Sequence, residues 1–143
     1  MAVRDAHRGS CHCGAVTVAF TATRPLADLP LGRCDCSFCR RHGARTMADP
    51  DGHLLIRAPE GGLRRYRFGL KITDFLICAT CGVYVAPVIR HEGQHYASLN
   101  VNMLDARDDL DPAPPLASYA GETAEARIAR RLKRWMKTTI ETV

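Results

Sequence analysis

The sequence has no long apolar run. Its longest stretch without a charge, Phe75 to Ile89, is 15 residues long and contains Gly82 and Pro87. A helix that spans a bilayer needs about 20 consecutive apolar residues, so no such span is expected. The opening residues, "MAVRDAHRGS", lack the apolar segment of a secretory signal. A cytoplasmic protein with no membrane partner is therefore expected. The chain also lacks an internal repeat and a low-complexity tract, which argues against a solenoid or an array.

What is there suits one folded unit. The chain has 143 residues, 46% hydrophobic and 24% charged, enough for a single domain (1–143) with a real core. The chemically marked part runs from about residue 10 to 105, followed by an arm and a helix over 106–143. The net charge of +5 permits an anionic partner: nucleic acid, a membrane surface or a small acidic substrate. Much of the basic excess lies in the C-terminal segment, so total charge says little about any site.

The patterning is mostly β. In "CHCGAVTVAF", Val16, Val18 and Phe20 alternate onto one face, as in a half-buried strand. "LLIRA" (54–58) reads as another strand between the turns "ADPDGH" and "PEGG". "KITDFLICATCGVYVAPVI" reads as two strands joined by a Cys-x-x-Cys-Gly turn, and "HEGQ" as a hairpin loop before "HYASLNVNML". From Ala124 the apolar residues Ile128, Leu132, Trp135, Met136 and Ile140 fall on one helical face, with Thr123 as N-cap. The expectation is a mainly antiparallel β domain with one C-terminal amphipathic helix. That helix carries Arg127, Arg130, Arg131, Lys133, Arg134 and Lys137. The favoured reading is a helix packed by its apolar stripe with its basic residues in water; a nucleic-acid face is the less favoured one.

Seven cysteines stand out, in C-x-C, C-x-C-x-x-C and C-x-x-C spacings. In a reducing compartment such clusters point to metal before disulfides. A structural zinc site takes four ligands, and a catalytic one takes three and keeps a position open. Seven divides as four plus three. Cys11, Cys13, Cys78 and Cys81 form two pairs, each followed at once by a glycine, Gly14 or Gly82. A knuckle needs that freedom to turn backbone N–H groups toward its thiolates. These four are read as one structural zinc site.

Cys34, Cys36 and Cys39 remain. Three thiolates on zinc make a poor water activator but a good binder of one more sulfur. A thiol bound there is held as a nucleophilic thiolate. Arg33, Arg40 and Arg41 adjoin the ligands in sequence and are candidates to offset the charge or hold a substrate carboxylate. Alternatives stay open at this point. His42 as a fourth ligand would close the site, and an iron–sulfur cluster or a redox disulfide is the remaining option. No general acid stands out. Lys71 is a candidate to approach an anionic substrate. Asn100, Asn102 and Asp105 are read as solvent-facing before pocket-lining, and Trp135 and Met136 are candidates for a homodimer contact.

The order "CHCG", "CDCSFCRRHGA" and "CATCGV" resembles the family of glutathione-dependent formaldehyde-activating enzymes, which includes the centromere protein V relatives. The resemblance implies a β-tent domain with a structural zinc on Cys11, Cys13, Cys78 and Cys81 and a catalytic zinc on Cys34, Cys36 and Cys39. It implies a carbon–sulfur lyase type of reaction, addition of glutathione as cosubstrate to formaldehyde or a related small aldehyde. Asp35 departs from the family pattern, in which many relatives carry His between the first two cysteines of the triple. The rival reading is a zinc-stabilised binding module without turnover, using its basic helix on nucleic acid or a protein partner.

Overall fold

A computed structural model describes residues 5–143. Twelve strands and two α-helices are present among them: β1 (Asp5–Ser10), β2 (Thr17–Ala22), β3 (Leu31–Cys34), α1 (Ser37–His42), β4 (Thr46–Met47), β5 (His53–Ala58), β6 (Leu63–Tyr66), β7 (Asp74–Cys78), β8 (Tyr84–His91), β9 (Gln94–Ala97), β10 (Leu99–Asn100), β11 (Leu116–Ala117), α2 (Ala124–Arg134) and β12 (Met136–Thr142). Eight strands form one sheet in the order β1-β2-β5-β12-β9-β8-β7-β6, and β10-β4-β3-β11 form a smaller one. The alternation read at Val16, Val18 and Phe20 holds: all three are buried. The "HEGQ" hairpin also holds, with Glu92 and Gly93 at positive φ between β8 and β9.

Both sheets are mixed rather than purely antiparallel. β12 pairs with β5 in parallel and with β9 antiparallel, and β11 pairs with β3 in parallel. The C-terminal segment also departs from the expectation of one helix. α2 starts as read, with the Thr123 hydroxyl accepting from the Ala126 N–H at 3.1 Å. It stops at Arg134, and Trp135 is extended at φ −84°, ψ 161°. The apolar residues at 135, 136 and 140 suit a helix and a strand alike. The sequence "MKTTIET" is rich in β-branched residues, which favour the pleated chain. The gap between β5 and β9 then supplies hydrogen-bond partners on both edges. Met136 and Thr138 point inward and are buried, while Lys137 and Thr139 are exposed.

Met136 is fully buried in its own chain and Trp135 is only 9% exposed, so neither is free for the homodimer contact considered above. Met136→Ala is expected to cost about 2–5 kcal/mol, the range for truncating a large core side chain. Urea unfolding measures it. A cost below about 1 kcal/mol would mean that β12 is not a core strand.

Arg45, unremarked in the sequence, bolts the arm to the body. Its Nε and Nη2 donate to Asn102 Oδ1 at 2.9 and 2.7 Å, and its Nη1 donates to the Asp111 carbonyl at 2.9 Å. Asn100, read as solvent-facing, is 3% exposed and donates to the Tyr84 carbonyl.

Candidate active site

The two knuckles lie at the β1–β2 and β7–β8 turns. Gly14 and Gly82 both sit at φ +82°, a region that costs other residues about 1–2 kcal/mol. The turns aim backbone N–H groups at sulfur: Val16 donates to Cys11 Sγ at 3.3 Å and Cys81 to Cys78 Sγ at 3.5 Å. Cys11, Cys13, Cys78 and Cys81 come together, with Sγ–Sγ distances of 3.7 Å from Cys13 to both Cys11 and Cys78. Thiolates at about 2.3 Å on tetrahedral zinc lie about 3.8 Å apart, so the spacing fits that ion. In a flat sheet β1 and β7 would be about 29 Å apart, six strand spacings. The four-cysteine cluster therefore goes with a sheet that curls until its two ends meet. Backbone hydrogen bonds involving Cys13 and Val83 lead the effects that hold the Cys81 thiol down at about 6.

The second cluster is local. β3 ends at Cys34. Cys36 caps α1, its Sγ accepting from the Cys39 N–H at 3.4 Å, and Cys39 follows within the first turn. All three Sγ atoms lie within 4.8 Å of one another, and no other His, Cys, Asp or Glu of the described residues joins them. The hydrogen bond with Cys39 is the main cause holding Cys34 down at about 6, against burial, and the same bond raises Cys39. None of the seven cysteines is in a disulfide. The two clusters suit two metal ions.

His42, the candidate fourth ligand, is exposed, and it neither joins the three sulfurs nor lines their cavity. It packs on Phe38 and Tyr84, with ring centroids 4.5 and 5.4 Å away. The aromatic side chains Phe68, Phe75 and Tyr84 pack around Phe38 of α1, with Phe38 4.7 Å from Phe75 and 5.0 Å from Tyr84. The Tyr84 hydroxyl is buried without a hydrogen-bond partner. Burial pushes its pKa up, the neighbouring sulfurs of Cys39, Cys36 and Cys34 add to this, and Arg131 opposes it.

The three cysteines open onto a cavity of about 430 Å³. Its floor holds Cys34, Asp35, Cys36 and Cys39. The segment 68–73 and Phe75 form one wall, Tyr84 and Trp135 contribute to it, and α2 closes the other side. Lys71 lines it, at φ 58°, as the sequence reading suggested for an anionic substrate. Arg33, Arg40 and Arg41 do not line it. Arg33 Nε donates to the Pro114 carbonyl at 2.7 Å, Arg41 Nη1 to the Ser37 carbonyl at 3.1 Å, and Arg40 is exposed. The arginines on the cavity are Arg127, Arg130 and Arg131 of α2. The reading that the basic residues of this helix face water is thus corrected for these three. They follow the i, i+3, i+4 spacing, which a sequence presents equally to water or to a cavity. Glu122 organises two of them: Arg130 reaches it through Nε at 2.9 Å and Nη2 at 3.0 Å, and Arg127 at 3.2 Å. The Arg130 bonds, followed by the Arg127 bond, hold the Glu122 carboxyl down at about 2.

With this geometry in place, comparison with known proteins is decisive. The profile of the glutathione-dependent formaldehyde-activating enzyme family matches residues 6–120. The chain belongs to this family. A crystal structure of a Rhodobacter sphaeroides protein, a structural-genomics target, is similar in sequence and shape. The two share 33% identity, with a TM-score of 0.58, over 77% of this chain and 99% of that one. The family match takes in all seven cysteines, and α2 lies beyond it. No helix of the described residues is long and apolar enough to cross a membrane.

Proposed function

We propose that the chain is a zinc-dependent carbon–sulfur lyase-type enzyme. It adds a thiol cosubstrate, glutathione, to formaldehyde or a related small aldehyde. The observation that carries this reading is the three-cysteine cluster on the floor of a cavity, with no fourth protein ligand among the described residues. Cys11, Cys13, Cys78 and Cys81 are read as holding a structural zinc. Cys34, Cys36 and Cys39 are read as holding a catalytic one in a β-tent domain that comprises residues 1–143. A zinc ion held by these three sulfurs would supply Lewis-acid chemistry, lowering the pKa of a bound thiol below its free value of about 8.5.

The chain's own residues supply the rest. The β3–α1 turn presents three sulfurs on one side and leaves the other to the cavity. Phe68, Phe75 and Trp135 line that side with apolar surface. Lys71 and the α2 arginines give the cavity a positive potential that draws in an anionic thiol. Arg33, Arg40 and Arg41 act on this reading as charge compensation around the anionic centre, outside the cavity. In the reaction a carbon–sulfur bond forms between the thiol sulfur and the carbonyl carbon. The proton lost by the thiol ends on the former carbonyl oxygen, and the reverse reaction breaks the same bond. The seven unbridged cysteines suit a reducing, cytoplasmic setting.

The test is exchange spectroscopy by NMR on formaldehyde, glutathione and their hydroxymethyl adduct. Catalytic amounts of the two-zinc protein are expected to speed the interconversion well beyond the uncatalysed rate. Equal rates with and without protein would sink the reading.

A further inference from the structure

Two buried donors on the cavity wall have no acceptor. One is the Tyr84 hydroxyl, in a residue 1% exposed; the other is Nε of Arg131, a residue 8% exposed. Leaving such groups unpaired in a buried place is unfavourable, and a donor held unpaired beside a cavity calls for an acceptor there. Arg131 is held in place for one. Its Nη1 donates to the Thr73 hydroxyl, and its guanidinium lies 4.4 Å over the Trp135 ring. Its Nη2 makes no hydrogen bond among the described residues. Nε and Nη2 therefore leave free the edge of the guanidinium that accepts a carboxylate through two parallel bonds. Its neighbours are already used, since Arg127 and Arg130 are bound by Glu122. Asp35 is on the same cavity, but among the described residues no ion pair joins it to Arg131.

We propose that Arg131 and Tyr84 form a carboxylate-binding subsite on the wall of this cavity, so that one of the reactants bears a carboxylate group. The Arg131 edge holds the two oxygens and the Tyr84 hydroxyl donates to one of them. This rests on the reading of the cavity as the substrate site. Arg131 comes from α2, beyond the family match at residues 6–120, and Tyr84 comes from β8, within it. The carboxylate arrives either on the thiol or on the aldehyde.

Acetate is the probe of the subsite itself, titrated into the two-zinc protein and followed by saturation-transfer NMR. It is expected to bind, and to bind about tenfold more weakly in Arg131→Lys, which keeps the charge but loses the planar fork, and in Tyr84→Phe. Tyr84→Phe removes only an unpartnered oxygen, so it is expected to keep both metals and melt no lower than the wild type. Acetate binding that is absent, or equal in all three proteins, overturns the proposal whatever the turnover. Acetate binding that depends on both residues, in a protein with no thiol–aldehyde turnover, leaves the subsite standing and removes the proposed reaction.

Two kinetic arms identify the carrier. If the thiol carries the carboxylate, Arg131→Lys raises the half-saturating glutathione concentration about tenfold and leaves that of cysteamine unchanged. If the aldehyde carries it, Arg131→Lys takes away a preference for glyoxylate over formaldehyde and leaves glutathione unmoved. In an active enzyme, no loss on either arm overturns the subsite as part of substrate binding.

Discussion

Replacing Cys78 with serine is expected to unfold the protein at room temperature and to leave at most one metal ion per chain. Cys78 is 1% exposed at the end of β7, and its sulfur lies 3.7 Å from that of Cys13, 65 residues earlier in the chain. Closing a loop of that length removes unfolded-chain entropy equivalent to about 4 kcal/mol, by the estimate used for disulfides. Zinc binding in small domains contributes on the order of 10 kcal/mol or more, which rivals the whole stability of a typical domain, about 5–15 kcal/mol. Serine would also leave a buried hydroxyl where a thiolate stood. Far-UV circular dichroism and metal analysis check this. A Cys78→Ser protein with wild-type melting and two metals would show that the four-cysteine cluster is not a structural site.

Cys34→Ser is expected to do the opposite. Cys34, Cys36 and Cys39 lie within one strand-to-helix turn, so their metal ties together nothing distant. The aromatic packing of Phe38 against Phe75 and Tyr84 holds α1 without it. The fold should survive, with melting within a few degrees of wild type, while one of two metals is lost. Turnover should fall on the order of 10³-fold, since a metal centre of this kind supplies several kcal/mol to a reaction that develops charge. The paired variants thus separate two clusters that look alike in sequence. If Cys34→Ser kept both metals and full exchange rates, the assignment of the catalytic centre would be wrong.

The sequence and the structure agree where chemistry dictates spacing. Seven cysteines with two glycines at positive φ have few ways to be arranged, and the four-plus-three division is legible in the chain. Strand periodicity is legible as well, because a half-buried strand has to alternate. The errors have a common physical cause. Met136 and Ile140 satisfy a helical stripe and a strand face at once, and only the gap between β5 and β9 decides for the strand. Arg127, Arg130 and Arg131 have the spacing of a solvated helix face, yet Glu122, Thr73 and Trp135 supply partners that turn them inward. Those partners are close in space but mark no motif. The same holds for Arg45, whose bonds to Asn102 and the arm depend on the fold alone. Arg33, Arg40 and Arg41 show the converse. They adjoin the ligands in sequence, but the turn directs them away from the cavity.

The central claim is that the three-cysteine centre keeps a place for a substrate sulfur. Cobalt substitution tests it most directly, because thiolate-to-cobalt charge-transfer absorption counts the sulfurs on the metal. Glutathione titrated into the two-cobalt protein is expected to add the absorption of one further thiolate to that of the seven cysteines. That increment should vanish in Cys34→Ser. A spectrum unchanged at saturating glutathione would contradict the account, because the centre would then be closed to the thiol it is meant to hold.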